Sequence, residues 1–368
     1  MKILYVVNDL DFFISHRIVL AIKAVEQGNT VYVASNKLPD FEFHNIKFKK
    51  FVISRSSTSF VLNLKSLIQL KRIIKDISPE IIHCVTLKSI LITNLTLFFN
   101  KKIIIINAVS GMGYLFTNRK LSLASILVNN ILKLIVLTGK SYFIFQNKND
   151  LEEFKRFGLK ENYSIIKGSG VDQNDFKFTP SRPSKKIKIS FTGRILKDKG
   201  VLDLINAIML FPANIRSKIE LNLYGKIDYE NPSHIKESDL KKLLIPDFIE
   251  WHGYSKNIKR KLIDCDIYCL PSYREGIPKS SIEAMAIGRP IVTTNAPGCR
   301  DTVRHSYNGF KVDVGDVGAL KKKIKVLIED RDLRLKMGKN SRALFVKKFT
   351  LEKVVRQTFE LYDKVLKQ

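Results

Sequence analysis

The sequence predicts an α/β protein of two doubly wound, Rossmann-like domains facing each other across a cleft. Three observations predict the two doubly wound halves. Short apolar runs of strand length alternate with helical stretches along the chain, the pattern of a parallel sheet covered on both faces. The alternation breaks at FTPSRPSKK (Phe178–Lys186), where two prolines and several basic residues read as a linker, and then begins again. The length, 368 residues, suits two domains. The expected division is 1–178 and 179–350, with 351–368 a helix crossing back to the first domain.

In order, KILYVV (Lys2–Val7) is a buried-strand run, followed by a loop NDLDFFISHR and a helical pattern over Ile18–Glu26 closed by Gly28. TVYVAS, EIIHCVT, KIIIINAVS (Lys102–Ser110) and SYFIFQN repeat the strand signal with helical segments between them. After the linker, IKISFTG, IELNLYG, DFIEWHGY, DIYCLPS and PIVTTNA read as strands and VLDLINAIML as a helix. Doubly wound sheets bind ligands at the carboxyl ends of their strands, so the loops after these runs are where chemistry is expected.

Composition narrows the classes. Hydrophobic residues make up 45% of the chain, enough for full cores. The most apolar segment, Leu121–Gly139, is interrupted by Asn129, Asn130 and Lys133, so no run spans a bilayer. The start MKILYVVNDLDFF lacks the pattern of a signal peptide. Cys84, Cys265, Cys269 and Cys299 match no zinc spacing and read as buried thiols in a reducing cytoplasm. The formal net charge is +28. Between His44 and Asn149 the only acids are Asp76 and Glu80, against 16 lysines and arginines. Such a surface attracts nucleic acid, anionic lipid or phosphorylated substrates. No helix-turn-helix and no aromatic-interleaved basic motif accompanies it, which disfavours nucleic acid.

The stretch REGIPKSSIEA (Arg274–Ala284) sets Glu275 and Glu283 eight positions apart around a Gly-Ile-Pro-Lys-Ser turn. The context is strand, loop, helix: Pro278 suits a first helical turn, and SSIEAMAIG closes at Gly288 with Pro290 beyond. A helix start offers N–H groups to phosphate, so glutamates there point to sugar hydroxyls, or else to a solvated turn with a surface carboxylate. The loop FTGRILKDKGV places Arg194 and Lys199 after an earlier strand of the same sheet, either as a basic loop with a helix cap at Asp198 or as cations for a diphosphate.

GSGVD (Gly168–Asp172), FTGRILKDKG, CLPSYREGIPKSSIEAMAIGRPIVTTNAPGCRDTV and NGF at Asn308 together resemble the retaining glycosyltransferases of family 4, which have the GT-B fold. The resemblance covers nearly the whole chain. It implies that Glu283 holds the ribose hydroxyls of a nucleotide, that Glu275 contacts the donor sugar, and that Arg194 and Lys199 neutralise the departing diphosphate. It adds Gly193, Gly276, Ile277, Pro278, Lys279, Ser280 and Tyr254 to the donor site. No metal is expected, since two cations and a helix end do that work, and no cofactor besides the UDP-sugar substrate. Retention without a protein nucleophile implies front-face substitution.

The chain departs from well-known members at two places. NDLDFFISHR stands where many carry a Gly-Gly loop, and Ser110–Gly113 stands where many carry a histidine. Both variants, with HCVTLKS, SGMGYLF and FIFQNKND, are similar to bacterial glycan-assembly enzymes that use UDP-N-acetylhexosamines. The expected acceptor is a lipid diphosphate-linked saccharide, with a soluble acceptor as the alternative. Asp9, His16, Arg17, His83, Lys88, Gly111 and Gly113 are its candidate contacts. His16 reads equally as a packing residue, His83 as core, Lys88 as helix surface, and Tyr254 with Trp251 and His252 as an aromatic edge. The basic first half, the apolar Leu121–Thr138 and the pair Phe12-Phe13 are expected to place the protein in the cytoplasm, peripheral on the inner face of an anionic membrane, with Lys101, Lys102, Arg119 and Lys120 among the contacts.

Overall fold

The computed structural model describes residues 1–53, 60–100, 102–112 and 123–367. Gly113, Lys101, Arg119 and Lys120 therefore lie outside the described residues. The chain forms two compact units, Met1–Ser169 with Val354–Gln368, and Gly170–Lys353. The division falls ahead of Phe178–Lys186, which runs within the second unit.

The first unit contains β1 (Lys2–Val7), α1 (Leu10–His16), α2 (Ile18–Glu26), β2 (Thr30–Ser35), β3 (Lys47–Lys50), α3 (Phe60–Ile77), β4 (Ile81–Val85), α4 (Leu87–Thr96), β5 (Ile104–Val109), α5 (Leu123–Leu137), β6 (Ser141–Phe145), α6 (Lys148–Arg156) and β7 (Tyr163–Ile165). The sheet is all parallel, in the order β3-β2-β1-β4-β5-β6-β7. Its central strands bury both faces, which is why they read as continuous apolar runs rather than alternating ones. One face packs α3 to α6 through Leu70, Ile74, Ile90, Leu132 and Phe154. The other packs α1 and α2.

The second unit contains β8 (Ile187–Thr192), α7 (Val201–Met209), α8 (Ala213–Arg216), β9 (Ile219–Tyr224), α9 (Glu237–Lys241), β10 (Ile249–Trp251), α10 (Ile258–Ile263), β11 (Ile267–Leu270), α11 (Lys279–Ile287), β12 (Ile291–Thr294), β13 (Gly309–Val312), α12 (Val317–Glu329) and α13 (Arg331–Lys348). Its parallel sheet has the order β10-β9-β8-β11-β12-β13. The four cysteines are free thiols buried in these two units, as expected.

The last helix, α14 (Leu351–Leu366), starts in the second unit and joins the first from Val354 onward. It lies on the face of α1 and α2, where Val354, Leu361, Tyr362 and Val365 are buried. The Tyr362 hydroxyl hydrogen-bonds His83 Nδ1 at 2.6 Å and meets the Tyr5 hydroxyl at 3.2 Å. Arg17, 5% exposed, closes this cluster. Burial, reinforced by the Arg17 charge, pushes the His83 pKa down to about 3, so the imidazole is neutral.

Three expectations change here. The stretch read as a loop after the first strand is mostly helix α1, because Asp9 Oδ1 accepts from the Phe12 N–H and caps it. Phe13 is fully buried in the core and Phe12 stacks on His16, so this pair is not a membrane finger. His83 and Arg17 lie in a closed polar cluster under α14 and not at a surface open to an acceptor, because the strand positions of Tyr5 and His83 face that helix.

Since a buried hydrogen bond lost from one side leaves its partner unsatisfied, Tyr362→Phe is expected to destabilise the protein by about 1–2 kcal/mol. Denaturant titration of both proteins checks this, and an unchanged midpoint would remove the cluster from the stability of the first unit.

Candidate active site

In the second unit, β8, β9 and β10 succeed one another toward one edge and β11, β12 and β13 toward the other. The strand order reverses between β8 and β11, and a crevice opens at the carboxyl ends of strands at such a point. The two sequence-predicted loops leave the sheet there. β8 runs into Gly193, whose N–H donates to the Tyr224 carbonyl at 2.9 Å. Arg194 follows, then a 3-10 turn at Lys197–Lys199. Gly200 ends that turn at φ +69° and begins α7; a Cβ there would lie 2.1 Å from the Pro271 carbonyl, so only glycine lets the two loops touch. Asp198 therefore does not cap the helix. Instead its carbonyl accepts from the Tyr273 N–H at 2.8 Å and from Ser272 Oγ at 3.1 Å, stitching the loop after β8 to the loop after β11.

The stitched loops bring Lys199 Nζ into an ion pair with Glu275 Oε1, both side chains largely buried at 16% and 13% exposure. Arg194 donates to Asp228 Oδ2 at 2.5 Å, from the loop after β9. The backbone of Glu275 is fixed by its N–H to the Pro297 carbonyl at 3.0 Å. Beneath it lies Gly298 at φ +76°, where a Cβ would come within 2.4 Å of the carbonyls of both Glu275 and Gly276.

Pro278 stands one residue before α11 as its N-cap, not inside the first turn, and supplies no side-chain cap to the helix N–H groups. Gly276 and Ile277 form the turn into it, and Ile277 is buried. Ser280 Oγ accepts from the Tyr268 hydroxyl at 2.7 Å, which anchors the first turn to β11. Glu283 is 8% exposed, and Lys279 Nζ lies 3.4 Å from its Oε1. Burial raises the Glu283 pKa above the ordinary carboxylate value, with Lys279 opposing part of the effect. Tyr254, beyond β10, is 62% exposed with Lys226 Nζ 4.7 Å from its ring centre. Trp251 Nε1 donates to the Gly225 carbonyl at 2.8 Å, and His252 stacks on Tyr224 at 4.8 Å, so these two are structural.

The loops after β8 and β11 and the start of α11 carry Arg194, Lys199, Glu275, Lys279 and Glu283, three cations and two carboxylates, suited to an anion joined to a polyhydroxyl group. Sequence reasoning missed Asp228, Gly298 and Tyr268. Asp228 and Gly298 act through loops distant in sequence. Gly298 alone had a visible signal, in the turn-like APGC beside the predicted strand PIVTTNA.

The first unit has its own reversal, between β1 and β4. There Thr86 Oγ1 donates to Asn8 Oδ1 at 2.8 Å, and Thr86 adopts φ +87°, a conformation that β-branched residues avoid. Asp9 caps α1 beside it. Lys88 is half-buried in α4, and burial lowers its pKa. His16 ends α1 with Nδ1 2.7 Å from Ser15 Oγ, and Gly111 follows β5 at φ +121°. Asp9 and Gly111 follow the carboxyl ends of β1 and β5, and Lys88 lies in the first turn of α4 after β4. His83 and Arg17 do not join them.

Two family profiles match separate parts of the chain. The profile described as Glycosyl transferases group 1 matches residues 172–366, and one described as Glycosyl transferase 4-like matches residues 2–147. The chain is 28% identical over 335 residues to the N,N'-diacetylbacillosaminyl-diphospho-undecaprenol alpha-1,3-N-acetylgalactosaminyltransferase of Campylobacter jejuni, covering 88% of this chain and 87% of that protein. It is 24% identical over 329 residues to the UDP-Gal:alpha-D-GlcNAc-diphosphoundecaprenol alpha-1,3-galactosyltransferase of Escherichia coli, covering 83% and 80%. Among solved structures, the Anabaena protein HepE in complex with UDP and glucose superposes with a TM-score of 0.79 at 18% identity over 99% of both chains.

Because its folded pKa is raised, Glu283 makes the free protein less stable as pH rises through that pKa, and the loss is absent below the unfolded carboxylate value. Glu283→Gln is therefore expected to raise the melting temperature of the ligand-free protein by about 2–4 °C at pH 7–8, with the gap closing toward pH 4. Calorimetry across this range checks it, and a gap that widens toward acid would reverse the sign of the argument.

Proposed function

The chain belongs to the group 1 glycosyl transferases, and from that premise we propose what it transfers, to what, and how. The donor is a UDP-sugar carrying a hexosyl or N-acetylhexosaminyl group. The acceptor is a saccharide on undecaprenyl diphosphate, at an anionic membrane surface, in the assembly of a bacterial surface polysaccharide or protein-linked glycan. The observation that carries the donor half is the pairing of Glu275 with Lys199 at the strand reversal, one turn of chain before the uncapped start of α11. The acceptor half is supported by the undecaprenol diphosphate acceptors in the names of the two relatives.

The chemistry follows from the charges. The diphosphate lies against Arg194, Lys199 and the N–H groups opening α11, where charge grows as the sugar leaves. An arriving diphosphate competes with Glu275 for Lys199, and the displaced carboxylate is then available to the donor sugar hydroxyls. Glu283 holds the ribose hydroxyls, and Tyr254 lies toward the base. The acceptor hydroxyl oxygen attacks the anomeric carbon on the face of the departing phosphate oxygen. The new C–O bond forms as the C–O bond to phosphate breaks, the hydroxyl proton passes to that phosphate oxygen, and UDP leaves with configuration retained. Two cations and a helix start carry the leaving charge, so the reaction proceeds without a divalent ion.

Four substitutions and an excess of chelator test the reading. Arg194→Ala and Lys199→Ala each lower turnover about a hundredfold or more, and wild-type rates would remove them from the site. Glu283→Ala weakens UDP binding by about 1.5–3 kcal/mol. Glu275→Gln separates binding from catalysis: UDP binds at least as tightly as to the wild type, since Lys199 no longer has a competing carboxylate, while sugar transfer collapses. Calorimetry with UDP and a screen of UDP-sugars against a diphosphate-linked saccharide in excess chelator supply all the readings. Weaker UDP binding by Glu275→Gln would refute the competition, and a strict metal requirement would refute metal-free catalysis.

A further inference from the structure

On one face of the first sheet, α4 packs between α3 and α5, and all three bury their inner sides in the same core. The outer sides are unusual. In α5 the exposed positions are 126, 127, 130, 133, 134 and 137, one stripe of a helix of period 3.6. Such a stripe is ordinarily polar. Here Ile126, Leu127, Leu134 and Leu137 are 41%, 61%, 46% and 61% exposed, and the only charge is Lys133. In α3 the exposed positions repeat the same spacing, with Leu64 and Ile68 each 47% exposed among Lys65, Lys71, Arg72 and Lys75. Between them α4 contributes Leu95 at 37%, and Phe99 just past its end is 92% exposed. Asp76, at the last turn of α3, is the acid on these described helices.

We propose that the outer face of α3, α4 and α5 is the surface by which the protein lies on an anionic phospholipid bilayer. Aliphatic side chains ringed by lysine and arginine suit the headgroup boundary: the apolar groups enter it, and the long cationic side chains reach the phosphates. A second copy fits worse, since each chain carries a net charge of +28 and this face has almost no acid to receive another's cations. Phe12-Phe13 is not part of this face, and Lys101, Arg119 and Lys120 lie outside the described residues. It stands on exposure and charge alone, independently of the transferred sugar, and gives the proposed lipid-linked acceptor a membrane-bound enzyme to meet.

The test is flotation of the full chain with vesicles of phosphatidylcholine containing 0 or about 30% phosphatidylglycerol. Binding is expected only with the anionic lipid and is expected to fall with salt. Lys71→Glu/Arg72→Glu/Lys75→Glu and Leu127→Asn/Leu134→Asn should each lower the vesicle-bound ratio at least tenfold. Lys322→Glu/Lys336→Glu/Lys347→Glu, the same charge change on exposed helices of the second unit, should float like the wild type. Equal losses in all variants, or none, overturn the proposal, as does a wild-type dimer in solution that the leucine substitutions dissolve. Transfer to a short-chain acceptor free in solution should be unchanged in these variants. Flotation that fails while this transfer persists would sink the docking face and leave the sugar-transfer reading intact.

Discussion

The ion pair between Lys199 and Glu275 depends on two loops meeting where the second sheet reverses its strand order. Each partner belongs to a different crossover, and neither loop has a reason of its own to stay. They are held by the Asp198 carbonyl, which receives donors from Ser272 and Tyr273, and by the contact of Gly200 with Pro271. Two largely buried side chains of opposite charge are tolerable there because each solvates the other. The pair holds a cation and a carboxylate together beside the start of α11, and in the proposed reaction the donor's diphosphate and hydroxyls claim both.

The neighbouring carboxylate is handled differently. Glu283 lies inside α11 and pays for its burial with a raised pKa, only partly offset by Lys279 one turn earlier. A buried acid with incomplete solvation is primed to accept hydroxyl donors from a ligand, because such donors replace the water it has lost. His83 is a neutral imidazole whose Nδ1 meets Tyr362 and helps to seat α14, while its buried Nε2 has no hydrogen-bond partner among the described residues.

Most of the fold was legible in the sequence because buried parallel strands write themselves as apolar runs, and each run from KILYVV to PIVTTNA is a strand. The first crossover was misread since α1 is only seven residues long and its apolar positions, Leu10 and Phe13, are too few to establish a period. Its cap, Asp9, was seen as a ligand contact when it first serves the backbone. Pro278 was placed one residue too deep in α11, an error that leaves the loop geometry unchanged.

What the sequence determined by itself is the doubly wound character of both halves, the identity of the charged residues after β8 and β11, and the asymmetric charge of the first half. These are local properties of composition and period. Tertiary structure decided which of those charges meet. It joined Arg194 to Asp228 and Lys199 to Glu275, and set Gly298 beneath the Glu275 backbone. It withdrew His83 and Arg17 under α14 and turned the leucines of α5 and the lysines of α3 to one outer face. Each of these depends on residues far apart in the chain, brought together by strand order and helix packing, and no period of a single segment encodes that.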